Sequence, residues 1–256
     1  MVRLPRRHPR TLSGNTRALG LNRAALAISG LGTLLMTLSP FIGRGGPVMA
    51  NYIPVLEDPV FLWGLVIFGA GSVLLVGRSL VAAPAWAMPR NGAEALRSGL
   101  SLGLLPAVVA ILAFAWSWLT MPGDLSGKAY YEILFWGGGH ALQFIWAVFM
   151  LVAWLWLASA CGARVPMTPR IALLCFFLAT VCAVAIPVAY LLWPAHAVEH
   201  RNLLTFAMGL GRRTAHPARG ACRPAGLALR ARRSPTKLAH CVPHCCPRSP
   251  CSASAI

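Results

Sequence analysis

The chain has 256 residues, 57% of them hydrophobic and 11% charged, with 23 basic residues against 6 acidic for a net charge of +17; its mean hydropathy is +0.64. That balance excludes a water-soluble globular domain, in which about a quarter of the residues are charged, and points to an integral membrane protein. No Walker loop, nucleotide fingerprint, Ser-His-Asp order or zincin motif supports a soluble-type enzyme, and the arginines carry no interleaved aromatics, so no nucleic-acid partner is expected.

The first twenty residues hold Arg3, Arg6, Arg7, Arg10 and Arg17 with no acid among them, and Arg23 follows at the start of the first apolar run. This end is expected on the cytoplasmic side by the positive-inside rule. Five apolar runs then follow, at 21–43, 59–83, 98–121, 130–161 and 171–193, each of about 20 residues or more, enough to cross about 30 Å of hydrocarbon. The first is not a signal peptide, because no short apolar core with a small-residue cleavage site follows the arginines. Loop charges alternate in step with one topology. Arg44, Glu57 and Asp58 are expected outside, Arg78, Arg90, Glu94 and Arg97 inside, Asp124, Lys128 and Glu132 outside, Arg164 and Arg170 inside, and His196, Glu199 and His200 outside.

The fourth run reads YYEILFWGGGHALQFIWAVFMLVAWLWLA and contains one histidine, His140, among apolar, aromatic and glycine neighbours. An ionisable group at membrane depth costs about 2.5 to 3.5 kcal/mol even on lenient insertion scales, so His140 reads as a functional site. The alternative is a neutral imidazole bonded to a main-chain carbonyl. Counting inward from Tyr131 at 1.5 Å per residue puts it about 14 Å deep, near mid-membrane. Gly137, Gly138 and Gly139 strip side chains from the turn before it, which admits either a flat group such as a porphyrin or a closely packed helix, since Gly137 and Ala141 form a small-xxx-small pair.

A sixth run opens at Leu203 with LLTFAMGLG and stops. From Arg212 onward the chain holds nine basic residues, no acid and five of the eight cysteines, a composition that cannot continue a membrane span. A frameshift in a GC-rich gene accounts for it most simply. His240, Cys241, His244, Cys245 and Cys246 are of ligand type but lack paired zinc spacing, while the basic tail could meet anionic lipid. The expected fold is therefore all-α, a polytopic transmembrane helix bundle with five full spans and a truncated sixth. Three segments are expected: a basic cytoplasmic stretch at 1–20, the helical domain at 21–211 and a disordered tail at 212–256.

The segment FWGGGHALQF, preceded by YYEIL and followed by AHAVEHRNLLTFAMGLG, resembles part of subunit I of the heme-copper oxidase superfamily, most nearly the divergent members grouped with the C-type cytochrome c oxidases and nitric oxide reductases. The resemblance covers roughly 24–211 and is strongest over 130–158. In that family the sixth helix carries a W-G-H type motif whose histidine binds copper or non-heme iron; Trp136, Gly139 and His140 match it. The next helix ends in a pair of histidines, of which His200 carries over, while Glu199 stands in the place of the other. The resemblance implies metal ligation by His140 and His200, heme approach along Gly137, Gly138 and Gly139, and a redox role for Tyr190, which on composition alone is an aromatic-belt residue. It also implies reduction of oxygen or nitric oxide, a bacterial inner-membrane location, other oxidase subunits as partners beside the lipid bilayer, and a cytochrome c-type electron donor. The chain departs from the pattern at Phe144, where relatives have tyrosine or glutamate, and no histidine lies in its first three apolar runs. Two further readings stand beside this one: a non-enzymatic multi-pass protein, such as a transporter or assembly component, and an inactive pseudogene product.

Overall fold

A computed structural model describes residues 16–42, 45–82, 88–161 and 167–214. The expectations for most of the N-terminal basic segment and nearly all of the tail lie outside the described residues. The chain is an integral membrane protein of all-α class: five segments are long and apolar enough to cross a membrane. In order the elements are α1 (Thr16–Ile42), β1 (Pro47–Val48), β2 (Val55–Leu56), α2 (Pro59–Val81), α3 (Gly92–Leu119), α4 (Gly127–Ala160), α5 (Pro169–Val181), a 3-10 turn (Cys182–Val184), α6 (Ala185–Leu192) and α7 (Val198–Thr214).

Helix starts are written locally. Asp58 caps α2, its carboxylate accepting from Val60 N at 2.9 Å, with Pro59 in the first helical position. Asn91 caps α3 by accepting from Glu94 N at 2.9 Å, and Glu94 reaches back to accept from Asn91 Nδ2 at 2.9 Å and from Arg90 N, just before the cap, at 2.7 Å. Thr168 caps α5, its hydroxyl oxygen accepting from Ile171 N, with Pro169 in the first helical position.

The fifth span is broken rather than continuous. Pro187 has no N–H for the carbonyl of Ala183 and its ring crowds that carbonyl, so the helix tightens into the turn at Cys182–Val184 before resuming as α6. Thr180 compensates within the preceding turn, donating from Oγ1 to Phe176 O at 3.1 Å and Phe177 O at 2.9 Å.

α1 and α2 form a hairpin sealed by glycine. A side chain at Gly32 would meet the main chain of Phe68 and the carbonyl of Gly64, and one at Gly71 would meet Ser29 N and Ala25 O, so the two backbones touch directly, as small residues permit in membranes. The remaining helices form a second bundle with two stacked cores. One gathers Ala95 and Leu102 of α3, Val148, Leu151 and Val152 of α4, and Phe176 and Ala179 of α5. The other gathers Ala110 and Ala113, Ala141 and Phe144, Ile186, Ala189 and Tyr190, and Leu204 of α7.

α7 starts at Val198, five residues before the apolar run suggests, and continues past Arg212 to Thr214. Its buried residues His200, Leu204, Ala207 and Gly211 fall at helical spacing and face the bundle, while Glu199 and Phe206 are exposed. It is a one-sided packing helix and is not among the five span-like segments.

Candidate functional site: an imidazole pair among aromatics

The turn Gly137–Gly139 is where three other parts of the chain converge on α4. Each glycine face is filled by a different aromatic ring: Tyr190 of α6 lies on Gly137, Phe114 of α3 on Gly138, and Tyr52 of the α1–α2 loop on Gly139. Close approach is thus the work these glycines do, and the approaching groups are the protein's own side chains.

His140 follows, 2% exposed. Its Nδ1 lies 2.8 Å from Trp136 O and 2.7 Å from the Tyr52 hydroxyl, and that hydroxyl stands 3.3 Å from Nε2. A carbonyl oxygen only accepts, so the ring proton sits on Nδ1 and Nε2 keeps its lone pair. His200, fully buried, repeats the pattern: Nδ1 donates to Ala195 O at 3.0 Å, and Nε2 has no hydrogen-bond partner. The two imidazoles lie within electrostatic reach of one another. His200, which donates Nδ1–H to a carbonyl and presents an unpartnered Nε2, has the orientation and tautomer of a metal ligand; the Nε2 of His140 is approached by the Tyr52 hydroxyl.

Tyr190 joins the pair. Its ring meets that of His200 edge-on with centroids 4.5 Å apart, and its hydroxyl lies 2.6 Å from Ser117 Oγ while donating to Ala113 O at 3.3 Å. It is buried inside the bundle. Trp136 lies between Tyr52 and His140, with centroid separations of 6.0 and 5.0 Å; Arg201 sits over its ring at 5.6 Å, and its indole Nε1 is buried without a partner.

Gly137 meets Tyr190, two residues before the end of α6, and Tyr190 bonds Ser117, two residues before the end of α3. His140 therefore lies about one helical turn below the ends of its neighbours. α4 has 34 residues, and its first turns extend beyond the ends of α3 and α6.

Tyr52 was not singled out by sequence reasoning. The loop that carries it is anchored on both sides. β1 pairs with β2 in the register Pro47 to Leu56 and Val48 to Val55, Val55 is 2% exposed, and Ala50 N donates to Val48 O at 3.1 Å. Glu199, in the place of a family histidine, is exposed on the first turn of α7 and does not join the cluster.

The residues fit the two groups implied by the oxidase resemblance unequally. A metal ion finds a matching donor chemistry in two Nε2 lone pairs, although among the described residues no third His, Cys, Asp or Glu completes a ligand group. A porphyrin does not fit along Gly137, Gly138 and Gly139, because the rings of Tyr190, Phe114 and Tyr52 occupy the space that the missing side chains leave.

No family model matches the chain, and no solved structure matches it. It is 30% identical over 137 residues to an uncharacterized protein of Rickettsia prowazekii (strain Madrid E), covering 52% of this chain and 26% of that protein. It is also 30% identical over 125 residues to an uncharacterized protein of Aquifex aeolicus (strain VF5), covering 49% of this chain and 32% of the relative. The chain thus spans about a quarter to a third of the length of these relatives.

Proposed function

We propose that this chain belongs to a membrane oxidoreductase subunit similar to subunit I of the heme-copper oxidases, and that His140 and His200 each offer Nε2 to one transition-metal ion, copper or non-heme iron. The observation that carries the reading is the Nε2 of His200: it is fully buried, without a hydrogen-bond partner, and aligned by an Nδ1–H bond to Ala195 O. An unpaired buried polar atom of this kind costs about 1–3 kcal/mol, an expense that a ligand relieves. Imidazole suits both metals.

A bound ion of this type supplies a redox-active centre with an open position for a small gas. The chain's own residues hold and orient. Trp136 O and Ala195 O fix the tautomers, and the Tyr190 ring, tied to Ser117 and Ala113, fixes the plane of His200. Tyr190 is on this reading a positioning residue. No heme is assigned to the faces of Gly137, Gly138 and Gly139, because aromatic rings fill them. The same reading places the protein in the bacterial inner membrane with a cytoplasmic N-terminus, in company with other oxidase subunits and a cytochrome c-type donor, acting on oxygen or nitric oxide.

Copper content of the detergent-purified chain tests it. About one ion per chain is expected, with affinity falling by at least about tenfold in His140→Ala and in His200→Ala, the size of effect usual for loss of a metal-site group. No bound copper or iron, or binding indifferent to both substitutions, overturns the reading. A second reading, a non-enzymatic multi-pass protein such as a transporter or assembly component, is favoured by the three filled glycine faces, which leave a finished packing core. It predicts a metal-free protein, and for a transporter, flux into liposomes.

A further inference from the structure

At the other end of α3 from Ser117, the start of that helix meets the start of α5 around a cleft of about 940 Å³. Ala95 and Leu102 of α3 share a core with Ala172 and Phe176 of α5, so the two helices are held side by side and the cleft lies at the end of their seam. Its polar lining is Arg90, Glu94, Thr168 and Arg170. The Thr168 hydroxyl oxygen is used by its cap, accepting from Ile171 N at 3.3 Å. The Glu94 carboxylate is turned to its own helix start, accepting from Asn91 Nδ2 at 2.9 Å and from the main-chain Arg90 N at 2.7 Å. The two guanidinium groups are left over: Arg90 and Arg170 are exposed and form no ion pair with a described residue.

We propose that this cleft binds the phosphate of an anionic phospholipid headgroup. A guanidinium presents a planar fork of donors that matches phosphate oxygens, and one such group from each of two helices holds a phosphate from both sides. The starts of α3 and α5 add the positive ends of two helix dipoles. A free phosphate would use the same donors; the apolar surroundings are what point to a lipid. Met88 lines the cleft and is exposed, and on α5 the exposed residues Ile171, Leu174 and Phe177 recur every three positions. That stripe begins beside Arg170 and runs into the span, where the acyl chain of a bound headgroup would lie. In the topology proposed above, this end of the bundle meets the cytoplasmic leaflet, which carries the anionic lipids. The cleft is separated from His140 and His200 by the length of α3, and the inference stands whether or not a metal ion binds there.

The test is native mass spectrometry of the full-length chain released from micelles, with phosphatidylglycerol, phosphatidylcholine or inorganic phosphate added one at a time. Phosphatidylglycerol is expected to stay bound as a single adduct, more strongly than phosphatidylcholine, whose headgroup is neutral overall. Arg90→Gln and Arg170→Gln are each expected to weaken phosphatidylglycerol binding about fivefold, the weight of one basic residue at a membrane surface. Arg23→Gln, which alters an exposed arginine near the start of α1, leaves it unchanged. Neither cleft substitution disturbs a helix start, because the caps use the main chain of Arg90 and the side chains of Asn91, Glu94 and Thr168. Equal weakening in all three variants overturns the site, since it reports general attraction of anionic lipid to a basic surface. Equal retention of phosphatidylcholine overturns it as well. Inorganic phosphate bound with the same arginine dependence, while phosphatidylglycerol is not retained, assigns the cleft to a free anion and overturns the lipid. Because copper binding is not read, failure here leaves the metal proposal standing, and failure of the metal proposal leaves this one untouched.

Discussion

Gly32→Leu is expected to separate α1 from α2 while leaving both helical. A Cβ at Gly32 runs into the main-chain nitrogen and Cα of Phe68 and the carbonyl oxygen of Gly64, and backbone cannot rotate out of the way as a side-chain tip can. The helices must move apart along their whole seam. That forfeits the close dispersion contacts which, in a lipid environment with no hydrophobic drive between apolar helices, hold the hairpin together. Overpacking of this kind costs about 3 kcal/mol, the upper part of the usual range, because the obstruction is rigid. Reversible unfolding in mixed detergent and dodecyl sulfate micelles measures the loss, and a cysteine cross-link between α1 and α2 reports the separation. Helix content by circular dichroism should hardly change, since each helix satisfies its own backbone hydrogen bonds. If the cross-link forms as readily in the variant and the unfolding midpoint stays put, the seam is not where the hairpin's stability resides.

The second large effect is expected at Tyr190. Its ring fills the face of Gly137 and supports His200, and its hydroxyl pairs with Ser117 Oγ and Ala113 O. Tyr190→Ala empties that volume between α3, α4, α6 and α7, and truncation of a buried aromatic costs about 3–5 kcal/mol. Tyr190→Phe keeps the volume but leaves the Ser117 hydroxyl, fully buried, without its tyrosine partner, a loss of about 1–3 kcal/mol. Ser117→Ala combined with Tyr190→Phe should recover part of this, because removing both polar partners is far less costly than removing one. The same unfolding measurement ranks the three variants. Tyr190→Phe as damaging as Tyr190→Ala would show that the hydroxyl, and not the ring, holds the cluster.

The histidine site was partly legible in the chain. His140 stands out because an imidazole is costly among apolar neighbours, and His200 because it follows the next span near the same side; both are buried, each with Nδ1 on a main-chain carbonyl. Glycine at 137–139 announces that something comes close, but a missing side chain carries no information about its visitor. Here the visitors are Tyr190, Phe114 and Tyr52, drawn from three separate stretches of sequence. The break in the fifth span was passed over when 171–193 was read as one run, although the missing N–H of Pro187 is a local fact.

What the sequence determined by itself was the membrane class, the five spans and most of the helix caps. Each of these depends on properties that act within a few residues: run length against the thickness of a bilayer, a side-chain oxygen against the first free N–H groups, a proline against the preceding turn. Only the tertiary structure decided that Tyr52 meets His140, that the glycine faces are already filled, that α7 turns His200 inward and Glu199 outward, and that His140 lies near the helix ends. Those outcomes are contacts between side chains far apart along the chain, selected by how whole helices slide and overhang one another. The 34-residue α4 shows why local reading stops there: its length fixes that it crosses a membrane but leaves its vertical register free, and packing against α3, α6 and the Tyr52 loop sets that register.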